Sequence, residues 1–391
     1  MKILFFILFL FISSFSVFNF AAYGQDSSHL RISLLTCTPG EELYSTFGHS
    51  ALRVVDSSSV TDYVYNYGTF NFDDEGFYLK FIRGKLFYYI SLENFKDLNG
   101  YYGFESAYKL DHRGITEQVL DLSADEKINI KKLLNENLKE ENKYYKYDFF
   151  LDNCTTRLRD IILKSKHPNP ILPAVMPAST TFRNAIHLYL DNNKQYWSKL
   201  GIDILLGSPT DAVMTTSQQQ FLPDNLMKSL DSSRNVNIVK SSSNLYDLPQ
   251  SIDRFSWFTP VVFFSLLLFL FIALSLSKNK RMHLILSGLD GFLFFMTGLL
   301  GILLVFMMTA TDHSMTKNNY NILWAWPTHL IFSFFINSKR KIVKTYFLVV
   351  SVCLVLLLLC WFFLPQQMSP VLIPFLLLLL YRSINKYLQV I

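Results

Sequence analysis

The sequence predicts an exported α+β domain with a mainly antiparallel sheet, followed by an all-α bundle of about five transmembrane helices. Three observations predict it. Half of the 391 residues are hydrophobic and the mean hydropathy is +0.23, which excludes a wholly soluble chain. The excess is uneven: Phe, Leu, Ile and Val runs follow one another after Trp257, whereas residues 25–256 have the mixed pattern of a globular domain. Within that domain, strand-like segments come first and helix-like ones gather towards its end.

Residues 1–24 carry Lys2, an apolar run from Ile3 to Phe20, and the small-residue end Ala22-Tyr23-Gly24, and read as a signal peptide cut before Gln25, with a retained anchor as the alternative that exports the domain equally. The domain then covers 25–228, a Ser- and Asn-rich tether covers 229–256, and the membrane part covers 257–391. A spanning helix needs about 20 apolar residues. Five candidates meet or approach this: Trp257–Leu276, Leu284–Ala310, Tyr320–Ile336, Thr345–Phe363 and Pro370–Leu388.

Threading them puts Lys278, Lys280, Arg281, Lys339, Arg340, Lys341, Lys344, Arg382 and Lys386 inside and only Lys317 outside, so the domain faces outward. Trp257, Trp324, Trp326 and Trp361 fall at outer ends, as interfacial indoles would. The net charge of +5 is thereby explained by topology. No basic stripe interleaved with aromatics points to nucleic acid.

Inside the domain, Leu30–Cys37, Ser50–Val55, Val60–Tyr67, Lys85–Leu92 and Ile115–Leu122 read as strands. Asp125–Leu138, Cys154–Lys164 and Thr181–Leu190 read as helices. Two clusters stand out. In one, His49 sits at the mouth of a strand after Gly48, within Tyr44-Ser45-Thr46-Phe47-Gly48-His49-Ser50-Ala51-Leu52-Arg53. In the other, Asp152-Asn153-Cys154-Thr155-Thr156-Arg157, Asn153 could cap a helix whose first turn holds Cys154.

A thiol at a helix N-terminus has its pKa lowered by the dipole and nearby N–H groups and becomes a ready nucleophile. Those N–H groups could receive an oxyanion, and His49 could shuttle the proton, so the pair forms a coherent acyl-transfer site. Other readings stand beside it. Cys37 and Cys154 could form a disulfide in an oxidising compartment. Asn66, in Tyr65-Asn66-Tyr67-Gly68, could orient the imidazole or serve a turn.

The run Leu34-Leu35-Thr36-Cys37-Thr38-Pro39-Gly40 leading into Phe47-Gly48-His49-Ser50-Ala51-Leu52-Arg53, with Asp152-Asn153-Cys154-Thr155-Thr156-Arg157 downstream and the apolar tail, resembles the Lnb-type lipoprotein N-acyltransferases. The resemblance implies a permuted papain-like (NlpC-like) domain in the periplasm of a bacterial inner-membrane, multi-pass protein. It implies Cys154 as nucleophile and acyl carrier, His49 as its base, a phospholipid acyl donor and a diacylated lipoprotein acceptor. Asn66 as the orienting residue is a separate reading from the residues themselves.

Tyr44, Arg53, Asn153 and Arg157 are the further substrate-contact candidates in the two clusters. The resemblance adds the outer loop with His313, Asn321 and Trp324, and Asp290 within the second span. Asp290 could instead reach Arg281 or Lys280 at the inner end. No metal or other cofactor is expected, since the histidines lack paired ligand spacing. Two rivals remain: a membrane-tethered peptidoglycan amidase or peptidase, and a non-catalytic envelope scaffold with a Cys37–Cys154 disulfide.

Overall fold

A computed structural model describes residues 28–246 and 257–388. The signal-peptide reading of residues 1–24 lies outside the described residues. Seven strands, β1 (Leu30–Cys37), β2 (His49–Asp56), β3 (Thr61–Thr69), β4 (Phe87–Asn94), β5 (Ile115–Leu120), β6 (Tyr144–Lys146) and β7 (Val239–Tyr246), form one sheet in the order β6-β4-β3-β2-β1-β5-β7. Every neighbouring pair is antiparallel. Among the described residues eight α-helices accompany it: α1 (Phe77–Ile82), α2 (Phe104–Leu110), α3 (Ala124–Asn137), α4 (Cys154–Ser165), α5 (Phe182–Asn192), α6 (Tyr196–Leu205), α7 (Thr216–Gln219) and α8 (Pro223–Asp231).

Period-2 alternation divides the core. Ile32, Leu34, Leu52, Val54, Tyr65 and Tyr67 face α3, α4 and α8, whose Leu134, Leu158, Ile162 and Leu226 close over them. Leu35, Cys37, Ala51, Val64 and Ile115 point the other way, under Phe95 and the Phe104 of α2. Both faces are covered, which is why β1 is apolar on both. Helix α3 starts at a capping box in which the Ser123 hydroxyl accepts from the Glu126 N–H and the Glu126 carboxylate from the Ser123 N–H.

The tether reading of 229–256 needs correction. Helix α8 runs to Asp231, and Val239–Tyr246 pairs with β5 as an edge strand. Its Val-Lys-Ser-Ser-Ser-Asn-Leu-Tyr sequence lacks an apolar face because pairing is through backbone at an edge largely open to solvent.

The C-terminal part contains α9 (Pro260–Leu276), α10 (Lys280–Thr309), α11 (Thr328–Ser333), α12 (Lys341–Leu359) and α13 (Ile373–Leu388). Among the described residues three helices are long and apolar enough to cross a membrane, namely Lys280–Thr309, Lys341–Leu359 and Pro370–Leu388, while Pro260–Leu276 is a shorter apolar helix. The expected span Tyr320–Ile336 is not a continuous helix. It holds a 3-10 turn at Tyr320–Leu323 and then the six residues of α11, interrupted where Pro327 withholds its N–H.

The interrupted segment is nevertheless laid along α10. A Cβ on Gly301 would sit 2.1 Å from the Ala325 carbonyl and one on Gly298 2.2 Å from the Leu330 nitrogen, and Ser287 donates to Asn337 at 2.7 Å. Irregular backbone at such depth is tolerated when protein packs against it. Two of the four tryptophans read as interfacial are interior: Trp324 is 2 % and Trp361 7 % exposed.

Asp290 does not reach Lys280 or Arg281. Its carboxylate takes two hydrogen bonds from Arg382, at 2.6 and 2.7 Å, and pairs with Lys386 at 2.8 Å, in a fully buried cluster joining α10 to α13. Asp290→Asn is expected to destabilise the membrane part by about 3 kcal/mol, because two buried cations lose their counter-charge. The exposed pair Arg159–Asp160 supplies the control, with less than about 1 kcal/mol for Asp160→Asn. Thermal unfolding of the detergent-solubilised protein reads the difference.

The two parts are docked by backbone as well as side chains. The segment after α6 accepts the outer loop: the Gly207 N–H donates to the Met315 carbonyl at 2.8 Å, and the Ser208 N–H to that of Asn318 at 3.2 Å. Asn319 and Asn321 donate to the carbonyls of Asp203, Ile204 and Leu205, and Gln366 to that of Leu206. Arg183, wholly buried, holds this receiving segment through Asp203, Asp211 and the carbonyls of Leu206 and Gly207.

The fit leaves no room at Gly207, where a Cβ would lie 1.9 Å from the Lys317 carbonyl oxygen. Gly207→Ala is expected to shift the domain on its membrane part, and a site that spans the two would lose about 10²-fold in rate, the cost of an ångström-scale misplacement. Alkylation of Cys154 near neutral pH should persist in that variant, which separates misplacement from unfolding.

Candidate active site

Cys154 is the first residue of α4, and Asn153 caps that helix. The Asn153 side-chain oxygen accepts from the Thr156 N–H at 2.9 Å, and the Thr156 hydroxyl accepts from the Asn153 N–H at 2.9 Å. The Asn153 amide nitrogen donates to the carbonyls of Phe149 and Phe221, fixing the helix start between two loops. The thiol therefore sits at the positive end of a held helix, next to the N–H groups of the first turn.

His49 opens β2, opposite Cys37 in the register. Alternation sets His49 and Asn66 on the face shared by Ala51 and Val64, while α4 packs on the other face. Cys154 and His49 meet at the end of the sheet, where β3 bulges between Tyr67 and Thr69 at Gly68. Gly68 has φ +90°, which glycine adopts without strain, and a Cβ there would touch that of Cys154 at 3.7 Å.

The imidazole is held from both sides. Asn66 Oδ1 lies 2.6 Å from His49 Nε2, and Asn66 Nδ2 donates to Glu93 at 2.9 Å. Because Glu93 takes the amide nitrogen, the amide oxygen faces the ring and Nε2 carries the proton, which presents Nδ1 to sulfur. The Cys154 thiol and the His49 ring line the same cleft, close enough for each to shift the ionisation of the other. Ser91 also donates to Glu93, at 2.7 Å.

Charge follows from this arrangement. Burial alone pushes the Cys154 thiol up, but the His49 charge and hydrogen bond, the Ser50 N–H and the Thr155 hydroxyl outweigh it and bring the pKa down to about 7. Burial depresses the His49 pKa, yet the Cys154 charge and the bonds from Cys154 and Asn66 leave it raised above its ordinary value. Cys37 differs. It is a free thiol packed under α2 on the sheet face away from α4, and burial pushes it up to about 12. Cys154 is free as well, and no disulfide joins it to Cys37.

A cleft of about 800 Å³ opens on the pair. Its wall is mostly aromatic and aliphatic, with Phe47, Phe70, Tyr88, Phe149 and Phe221 from the sheet domain and Met315 from the membrane part. His49, Asn66, Asn153, Cys154 and the exposed Tyr44 line it. So does His313, whose Nε2 also caps α1 at the carbonyls of Phe81 and Ile82.

The other candidates lie elsewhere. Arg53 is buried behind the site in ion pairs with Asp62 and Glu117. Arg157 grips Asp152 at 2.6 and 2.7 Å and covers the Tyr145 ring. Asn321 and Trp324 are buried in the domain joint, where the Trp324 indole donates to Asn321 at 3.0 Å. Asp290 is in the buried ion cluster described above. None of these five lines the cleft, because each has spent its polar groups on a partner that holds the fold.

The sequence reading missed Glu93, Ser50 and Arg113, the last of which lines the cleft. Glu93 had one visible signal, an acid within an otherwise strand-like Ile90–Glu93 stretch. Ser50 acts through its backbone and Arg113 precedes a strand with no local pattern, so neither was legible.

Fold and site together define a membrane protein whose sheet domain holds a cysteine–histidine pair in an apolar cleft shared with the outer loop of its own membrane part. Residues 20–184 match the family model of the Lnb N-terminal periplasmic domain, and residues 252–391 that of the Lnb transmembrane domain. The chain belongs to the Lnb family and is a membrane protein with a periplasmic N-terminal domain. No curated protein and no solved structure matches it.

Proposed function

We propose that the protein is a lipoprotein N-acyltransferase of the bacterial inner membrane, moving a fatty acyl chain from a phospholipid to the α-amine of a diacylglyceryl-cysteine lipoprotein. The observation that carries this reading is the electrostatically coupled Cys154–His49 pair in the wall of an apolar cleft that the membrane part helps to build. Histidine on a strand before cysteine at a helix start, around an antiparallel sheet, supports the permuted papain-like kinship.

In the first half-reaction the Cys154 thiolate attacks the ester carbonyl carbon, forming the C–S bond. The N–H groups of Cys154 and Thr155 at the helix start receive the oxyanion. The ester C–O bond then breaks, and His49 gives its proton to the departing lysophospholipid oxygen. In the second half-reaction the lipoprotein α-amine attacks the thioester carbonyl, His49 takes the amine proton, and the C–S bond breaks to return the thiolate. Asn66, held by Glu93, keeps the ring oriented throughout.

The volume lies within the range of about 300–1,000 Å³ common to small-ligand sites. An aromatic and aliphatic lining suits an acyl chain, whose transfer from water gains about 0.8 kcal/mol per CH₂, better than a polar peptidoglycan peptide. The test uses purified protein with phospholipid bearing a heavy-isotope acyl chain. The expected result is a hydroxylamine-labile mass increase on Cys154, followed by transfer of the label to a lipoprotein amine. Cleavage of peptidoglycan peptides with no labelled thioester would overturn the reading.

A further inference from the structure

Arg113 stands in the wall of the same cleft and has no use in the mechanism above. It is 6 % exposed, so its charge is carried out of bulk water. Its Nε donates to the Thr38 carbonyl at 2.9 Å and its guanidinium lies 4.5 Å above the Tyr108 ring. One terminal nitrogen is buried with no partner. Among the described residues no carboxylate lies within ion-pair distance of it, although every other deeply buried guanidinium in the sheet domain, at Arg53 and Arg183, has one.

A buried cation without a counter-charge is costly. The donor nitrogen is built for an anion, and guanidinium matches phosphate oxygens in particular. Arg113 is near enough to the pair for its charge to act on His49. On the acyl-transfer reading, on which this inference rests, the two lipid substrates differ here. The donor carries a phosphate diester only a few bonds from the ester that Cys154 attacks, whereas the diacylglyceryl group of the acceptor carries none.

We propose that Arg113 is the phosphate subsite of the cleft, which selects a phospholipid over a neutral glycerolipid as acyl donor. One guanidinium–phosphate contact corresponds to a preference of about 10- to 100-fold.

The experiment follows acyl-enzyme formation on the full-length protein by intact mass, without lipoprotein acceptor. Donors are phosphatidylglycerol, phosphatidylethanolamine and a diacylglycerol with the same chains. Both phospholipids are expected to acylate Cys154 about 10- to 100-fold faster than diacylglycerol. R113Q should lose most of that preference through the phospholipid rate, and R113K should keep the larger part of it. Equal rates from diacylglycerol and phospholipids in the unaltered protein, or an equal fall for all donors in R113Q, would reject the subsite and leave Arg113 a brace for the Thr38 turn. Excess inorganic phosphate should leave the preference standing; its abolition would assign the site to the free anion. Acylation from none of the lipids would instead sink the acyl-transfer reading, and the subsite with it.

Discussion

Cys154→Ser is expected to lower N-acylation about 10⁴-fold or more while the protein stays folded in the membrane. The fold does not depend on the sulfur: Asn153 caps α4, and the Thr155 hydroxyl keeps its bond to Ser50 at 3.1 Å. The chemistry does. A serine hydroxyl in the same place ionises far above neutral pH, so the partnership that brings the thiol to about 7 has nothing comparable to work on. Mass spectrometry of a lipoprotein N-terminus in cells with each variant reads the loss, and blotting of the membrane fraction reads retention. Cys37→Ser is the paired control. Its thiol, pushed to about 12, is protonated at neutral pH and takes no part, so most activity should remain. Full activity in the Cys154 variant would remove the nucleophile.

His49→Ala is expected to reduce acyl-enzyme formation by about 10²- to 10⁴-fold and to change how the thiol titrates. In the unaltered protein Cys154 is ionised above about 7, so its alkylation rate should rise through neutral pH and then level off. Without the imidazole, burial is opposed by weaker influences such as the Ser50 N–H and the Thr155 hydroxyl, and the pKa is expected to return to or above the ordinary 9.0. The thiolate fraction at pH 7 then falls from about one half to about one hundredth or less. Alkylation should keep rising past pH 9 in that variant. Because thiol and ring titrate as a pair, the profile is compared as a whole. An unchanged profile would remove His49 as the partner of sulfur.

How much of this was legible depends on how local each cause is. Strands β1 to β5 and helices α3, α4 and α5 were readable to within about two residues, because alternation and caps such as Ser123 and Asn153 act over a few neighbours. Strand β7 was not, since an edge strand of serines carries no apolar period. The interrupted segment around α11 reads as one apolar run, and only its packing against Gly298 and Gly301 shows how it lies along α10. Asp290 had cations close in sequence, yet Arg382 and Lys386 of α13 take its charge. Buried in one bundle, they have no water to compete for them.

The amino-acid sequence by itself determined the division into an exported sheet domain and an apolar helical part, and the positions of a cysteine and a histidine each poised at the start of an element. Those features follow from hydropathy, alternation and capping, which each segment expresses alone. Only the tertiary structure decided that His49, Asn66 and Glu93 form one hydrogen-bonded chain beside Cys154, that the cleft is completed by the membrane loop, and that Arg113 stands in it without a counter-charge. Ionisation, burial and unmet hydrogen bonds are set by groups distant along the chain, and those meet only when the whole of it has folded.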